Sequence, residues 1–263
     1  MDDIHVATLN LRNLADRWDE RLPLILADMS ALQPDLLGLQ ECVYPLQQDR
    51  LIGAAGEGTY AAIRGWAGRP EYGNSLLVRE PLVAVDVERF DLRAERAVHR
   101  VRIDLPNGAS VVVAVTHFHH IPIDSAIRDA QAEALIGWLD ASAAPEESAY
   151  VESKTSSAAP DALIVMGDFN ANPSEPAYAR MRDAGFRSSF AEANGTEPEI
   201  TWPSGLQGPM IDVEGTAQCL DYIWIRGSVS VESCQLVFDR PAVGDPTLYP
   251  SDHFGLAARL KIG

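Results

Sequence analysis

Ala162-Leu163-Ile164-Val165-Met166-Gly167-Asp168-Phe169-Asn170 is the stretch on which the reading of the chain turns. Five consecutive apolar residues read as a buried strand. The run stops at Gly167, and an acid and an amide follow at Asp168 and Asn170. In an extended or tightly turned backbone, residues i and i+2 point the same way, so the two side chains leave the end of a core strand side by side. A carboxylate beside a carboxamide suits a hard metal ion and a phosphate. It is equally an ordinary way to end a strand and cap a turn. The remainder of the chain has to choose.

Other strands end the same way. Residues 4–11 alternate and close near Asn10, and residues 36–40 form a second core run that ends at Glu41. Between them, Trp18, Leu22, Ile25, Met29 and Leu32 recur at helical spacing, which predicts a helix capped by Asp16 and running to about Gln33. Residues 51–69 are rich in Gly and Ala and read as a loop and an irregular strand. Strands are expected at 75–78, 82–90 and 98–105. Asn107-Gly108 then signals a hairpin into 111–115, which runs into Thr116-His117-Phe118-His119-His120. Asp124 is placed to cap a helix with Ile127, Ala134, Leu135, Trp138 and Leu139 on one face and Arg128 and Gln131 on another. Residues 141–161 turn to Ala, Ser, Glu and Pro and read as an exposed loop compatible with disorder rather than a domain boundary. A helix starts near Pro176 and Gly185 ends it. Residues 192–215 are loop-like. Strands follow at 220–225, with Asp221 inside an apolar start, at 231–238, and at 254–262 after Ser251-Asp252-His253. One domain over 1–263 is the expected organisation.

The totals narrow the function. The 263 residues carry a formal net charge of −17, with 21 Lys and Arg against 38 Asp and Glu. Nucleic-acid affinity leans on cations that neutralise phosphates, so long polyanions are disfavoured unless a local patch or a bound cation reverses the field. No apolar stretch is long enough to span a membrane. The opening Met1-Asp2-Asp3 is the wrong start for a secretory signal, which makes the cytoplasm the default location, with secretion left open for a trimmed leader. Three scattered cysteines, Cys42, Cys219 and Cys234, favour a reduced compartment without structural zinc.

The strand-end residues form one set: Asn10, Glu41, His117, Asp168, Asn170, Asp221, Asp252 and His253. If these ends share one rim, four acids, two amides and two histidines converge. Such oxygen ligands select Mg²⁺ or Mn²⁺ over zinc, and histidines can stabilise charge developing on a phosphoryl oxygen. With Leu39-Gln40-Glu41, Thr116-His117, Gly167-Asp168-Phe169-Asn170, Asp221-Tyr222-Ile223 and Ser251-Asp252-His253, the chain resembles the endonuclease/exonuclease/phosphatase superfamily, of the DNase I-like fold, over essentially its whole length. Thr201-Trp202 and Arg128-x-x-Gln131 resemble its minor signatures. The resemblance implies a four-layer α/β sandwich, with two mostly antiparallel mixed sheets flanked by helices. It implies Glu41 as chief metal ligand with Asn10 and Asp252 beside it, and Asp168 as the group that positions and deprotonates the attacking water. It further implies that Asn170 holds the nucleophile or a phosphate oxygen, that His117 and His253 donate to phosphoryl oxygens, and that Asp221 orients His253. Arg96 or Arg100 is expected to reach the substrate, and Tyr72 and Asn74 to line the cleft.

The reaction implied is in-line attack of metal-assisted water on a phosphoester, by a monomer. A small soluble or nucleotide-like phosphoester is the favoured substrate; a nuclease acting on DNA or RNA is the alternative, and a non-catalytic metal-binding scaffold a remote one. His117-x-His119-His120 also invites a zinc hydrolase reading, opposed by the hard oxygen character of the other ligands.

Overall fold

A computed structural model describes residues 2–66, 69–143, 159–211 and 215–263. Strands β1 (Asp2–Asn10), β2 (Leu36–Val43), β3 (Tyr60–Gly65), β4 (Tyr72–Arg79), β11 (Val229–Val237) and β12 (Gly255–Ile262) form one sheet in the order β11-β12-β1-β2-β4-β3. Strands β5 (Ala84–Arg93), β6 (Arg96–Asp104), β7 (Ser110–His117), β8 (Ala162–Asp168), β9 (Arg187–Ser188) and β10 (Asp221–Gly227) form the other, in the order β5-β6-β7-β8-β10-β9. Each sheet contains one parallel pair, β1 with β2 and β7 with β8, and is otherwise antiparallel. Helices α1 (Trp18–Leu32) and α2 (Asp49–Ala55) belong with the first sheet, and α3 (Ser125–Ala143) and α4 (Pro176–Asp183) with the second. A short α5 (Ser189–Asn194) packs at the edge, against β10 and β11. The expected α/β sandwich is the one observed.

Strand periodicity generates the layers. In β8, Ala162, Ile164 and Met166 enter the core between the sheets, while Leu163 and Val165 enter the core under α3 and α4. A strand covered on both faces has no solvent side, so its sequence is continuously apolar rather than alternating. On the far side, Ala7, Leu9, Leu37, Leu39 and Leu77 pack against Trp18, Leu22, Ile25 and Met29 of α1. Three apolar clusters thus separate four layers, burying apolar area worth roughly 25 cal/mol per Å² removed from water.

Some expectations change. Residues 51–69 hold α2 and a regular β3, preceded by a π turn at Tyr44–Gln48; Gly53 and the alanines hid the helix. Asp16 does not cap α1. The cap residue is Arg17 in a left-handed conformation, and the Asp16 carboxylate accepts from Arg12 Nε and Met210 N instead. In α3 the buried face includes Arg128 and Gln131, whereas Ile127 is exposed. Residues 192–215 are not all loop, since α5 reaches Asn194. The expected loop at 141–161 lies mostly outside the described residues.

Gly167 illustrates the tightness at the strand end. Its φ is 144°, and a Cβ there would stand 2.0 Å from the Thr116 carbonyl oxygen on the neighbouring strand. Paired strand backbone cannot yield, so Gly167→Ala should destabilise by ~3 kcal/mol, a fall in melting temperature of roughly 6–12 °C. Gly137, exposed in α3 with nothing within 4 Å of where an alanine methyl would stand, is the control. Gly137→Ala should gain about 0.5–1 kcal/mol from helix propensity. Thermal melts of the two variants check both signs.

Candidate active site

The two parallel pairs deliver their carboxyl ends to one rim. In register, His117 of β7 lies opposite Asp168 of β8, and Asp168 lies opposite Asp221 at the start of antiparallel β10. All three continue the rows that face the other sheet. From that sheet, Asn10 closes β1 on the same inward row as Ile4 and Val6. Beneath the rim, the buried Thr8 and Gln40 side chains hydrogen bond to each other.

Glu41 arrives differently. Strict alternation would send it outward with Leu37 and Leu39. The β2–β4 register slips between Leu39 and Cys42, and Glu41 itself has φ 53°. The bulge lets both Leu39 and Cys42 keep their places in the outer core while Glu41 turns into the cleft, where it is half-buried. Bulges commonly re-aim one side chain in this way.

Asp168 is the centre. Its side chain is 1% exposed, and three nitrogens converge on Oδ2: Asn10 Nδ2 at 3.0 Å, His117 Nε2 at 3.4 Å and His253 Nε2 at 3.7 Å. Oδ1 accepts from the Asn170 backbone at 2.8 Å. Asn170 adopts φ 49°, and its Nδ2 donates to the Phe118 carbonyl at 3.2 Å. His253 Nδ1 meets Asp221 Oδ2 at 2.9 Å. Glu41 accepts from Asn13 Nδ2 at 2.9 Å and, more weakly, from Asn10 Nδ2 at 3.5 Å. Asp252 faces Arg12 Nε at 3.7 Å.

The loops are pinned from behind. Ser251 Oγ donates to the Asn10 carbonyl, tying the segment of Asp252 and His253 to the end of β1. Thr201 Oγ1 accepts from the backbone of Leu220 and Asp221 and fixes the start of β10. Buried Arg128 donates to the carbonyls of His119, Ile121 and Pro122 and to Glu175, and Gln131 Oε1 accepts from His119 N. The two motif residues on α3 therefore hold the loop after β7.

The expected residues separate into two groups. Asn10, Glu41, His117, Asp168, Asn170, Asp221, Asp252 and His253 are brought together. Tyr72, Asn74 and Arg96 line the adjoining cleft of about 630 Å³. Arg100 is not there. Even-numbered residues of β6 face α3, as Val98 does, and Arg100 lies well inside the strand under that helix, paired with Glu88 at 2.7 Å and stacked on Trp138. Arg96 is the first residue of β6 and reaches over the rim, to His117 Nδ1 at 3.3 Å and His120 Nδ1 at 3.1 Å. The His117-x-His119 zinc face does not form, since His119 Nε2 turns to Asp124 at 2.9 Å. Arg12 and Asn13, which contact Asp252 and Glu41, were not singled out from the sequence. Their position two and three residues after Asn10 was the available signal.

Charge is unevenly held. Burial, reinforced by Asp221, pushes the Asp168 carboxyl up to about 7. Burial would depress His253, but Asp221 and Asp168 hold it up at about 10, so it carries a proton at neutral pH. Burial and Arg96 hold His117 well below the ordinary histidine range. With Arg96 donating to its Nδ1, the neutral ring carries its proton on Nε2, toward Asp168.

Asp168, Asp221 and His253 form the one close cluster of three potential metal ligands among the described residues. His253 Nδ1 is bonded to Asp221, and its Nε2 faces Asp168 at 3.7 Å without a hydrogen bond, so one ring nitrogen stays available within this trio. Glu41 lines the cleft, and with Asn10 and Asp252 beside it this side offers carboxylate and amide oxygens, a set whose chemistry fits a hard divalent cation. Glu41 is held by the amides of Asn13 and Asn10, with the Arg12 guanidinium near it.

The sequence profile described as the Endonuclease/Exonuclease/phosphatase family matches residues 7–253. No curated protein matches the chain. Among solved structures, the human Nocturnin catalytic domain with bound sulfate aligns at TM-score 0.77 and 22% identity, covering 99% of this chain and 95% of that one. An endonuclease/exonuclease/phosphatase from Bacteroides vulgatus aligns at TM-score 0.77 and 19% identity over 100% of both chains. D. rerio TDP2 complexed with a single-strand DNA product aligns at TM-score 0.76 and 15% identity, covering 99% and 100%.

The titrations predict a stability optimum for the metal-free protein. His253 has a folded value of about 10 against an ordinary 6.5, so its contribution is complete below pH 6.5 and is lost as pH rises toward 10. His117, and His99 at about 3, are held below 6.5, so each loses stability as pH falls beneath 6.5. Asp168 opposes this acid limb only in part. Denaturant titrations across pH 4–10 with chelator should therefore peak near neutrality, and His253→Gln should flatten the alkaline limb.

Proposed function

Because the chain belongs to the endonuclease/exonuclease/phosphatase family, whose members are phosphoric ester hydrolases, we propose that this rim hydrolyses a phosphoester by in-line attack of water with a divalent metal. The observation that carries the reading is the convergence of Asn10, His117 and His253 on one oxygen of buried Asp168. A base and three hydrogen-bond donors then surround a single small volume.

Glu41, with Asn10 and Asp252, would hold the cation, Mg²⁺ or Mn²⁺. Bound there, it supplies Lewis-acid neutralisation of phosphoryl charge. Asp168 takes the proton of the attacking water, and its raised value near 7 suits a base that works at neutral pH. Asn10 and Asn170 keep that carboxylate oriented, through Oδ2 and Oδ1 respectively. Protonated His253, anchored by Asp221, donates to a phosphoryl oxygen, and neutral His117 donates from Nε2 with Arg96 behind it. Charge that grows on the phosphoryl oxygens in the transition state meets donors already in place. No covalent intermediate is required, since no nucleophilic side chain among the described residues is placed between the base and the donors.

A small or nucleotide-like phosphoester fits best. The cleft volume of about 630 Å³ is that of a small-molecule site, and a net charge of −17 opposes a long polyanion. The likeness to D. rerio TDP2 with its DNA product keeps a nuclease as the second reading.

Purified protein with Mg²⁺ or Mn²⁺ should hydrolyse members of a panel of bis-p-nitrophenyl phosphate, nucleotides, phosphosugars, inositol phosphates and plasmid DNA. EDTA should abolish turnover and added metal restore it; full activity after chelation would overturn the reading. Asp168→Asn should lower kcat by roughly 10²–10⁴ with the fold intact by circular dichroism. Glu41→Gln should raise the metal concentration needed for half-maximal rate.

A further inference from the structure

Most arginines in this acid-rich chain are matched. Arg64 pairs with Asp49, Arg93 with Asp91, Arg100 with Glu88 and Arg180 with Asp129. Three that are not share one place. Arg69, Arg89 and Arg96 lie beyond salt-bridge distance of any carboxylate among the described residues, and all three line one continuous depression. Arg69 and Arg96 border the cleft above the site, and Arg69 and Arg89 border a second cleft of about 570 Å³ that shares Ala94, Glu95 and Ala97 with the first. The depression is also lined by Glu41, Glu95 and Asp91, the last of these matched by Arg93, yet Arg69, Arg89 and Arg96 make no ion pair with them. In a protein with 38 acids against 21 bases, three guanidiniums left without a carboxylate contact in one depression require a reason. Low-dielectric walls focus their field onto an anion there.

The second cleft also holds Trp66, which is 37% exposed. The Arg89 guanidinium lies 4.3 Å from its ring centroid, and Arg89 Nε is fixed on the Arg64 carbonyl at 2.9 Å. The guanidinium covers one face of the indole, and aromatic rings and arginines are groups on which nucleobases stack without base specificity. An acyl chain would instead desolvate the arginines against methylene groups, which is costly.

We propose that the second cleft is a nucleobase subsite and that the substrate is a nucleotide bearing at least two phosphates. The base stacks on Trp66, the non-scissile phosphate lies between Arg69 and Arg89, and the scissile phosphate reaches Asp168. This rests on the hydrolase reading above and names its substrate class.

The test is calorimetric titration of the Mg²⁺-loaded protein with adenosine 5′-(α,β-methylene)diphosphate, which is not cleaved between its phosphorus atoms. The base-free methylenediphosphonate and a tetrathymidylate serve as comparators. Trp66→Ala should weaken the nucleotide analogue about tenfold and leave methylenediphosphonate unchanged, and Trp66→Phe should restore most of the loss. Arg69→Gln should weaken both. Equal affinity of wild type and Trp66→Ala for the nucleotide overturns the proposal. So does a Trp66 dependence confined to tetrathymidylate, which would assign the cleft to a nucleic-acid strand. The two readings fail separately. Trp66-dependent binding without turnover of any phosphoester sinks the hydrolase reading alone. Asp168-dependent hydrolysis with affinities indifferent to Trp66 sinks the subsite alone.

Discussion

A carboxylate removed from water organises this molecule. Asp168 is buried between two sheets, where an unpaired charge costs several kcal/mol. Its oxygens are satisfied only because four chain segments arrive together: β1 with Asn10, β7 with His117, the turn at Asn170, and the last loop with His253. The parallel pairing of β7 with β8 is essential, because only parallel neighbours bring two carboxyl ends to the same rim. The antiparallel β10 must enter by its amino end, and Asp221 is its first residue.

Around this centre the fold departs from ideal geometry at chosen points. The bulge in β2 turns Glu41 against its alternation, and Asn170 takes a left-handed backbone conformation. The first re-aims a side chain that regular alternation would have sent outward, and the second folds the chain so that the Asn170 backbone N–H reaches Asp168 Oδ1. The surrounding restraints are polar and buried. Arg21 donates to the Leu11 and Pro250 carbonyls, and Arg128 gathers the carbonyls after β7. A buried guanidinium with several carbonyl acceptors holds loops that have no ladder of their own.

Electrostatics assigns different states to the two histidines. His253 stands between two carboxylates and keeps its proton, whereas His117 stands beside Arg96 and stays neutral. The same contrast runs across the surface. Acids dominate overall, but the cleft and its neighbour also gather Arg69, Arg89 and Arg96, which make no ion pair among the described residues. Net charge therefore describes what the protein repels at long range, and the local field describes what its cleft admits.

Read in one dimension, the chain discloses most of its strands, its polar strand ends and most of the site's membership. These are local or periodic properties: an apolar run that stops at Gly167-Asp168, or a Ser251-Asp252-His253 before a final strand, needs no partner to be visible. Arg96 and Arg100 could not be separated that way, because both occupy the same row of β6 and only the position of the rim distinguishes them. Arg128 and Gln131 could be set apart on their own helix face, but what they hold could not be read there, because their main-chain partners at His119, Ile121 and Pro122 come from the loop after β7. Arg12 and Asn13 gained meaning only when the bulge of β2 carried Glu41 to Asn13 and the last loop brought Asp252 to Arg12. The Trp66–Arg89 cleft likewise joins the β3–β4 connection to β5. Packing settles these points and local pattern does not, because each depends on partners brought close by sheet order and layering, which no periodicity along the chain encodes.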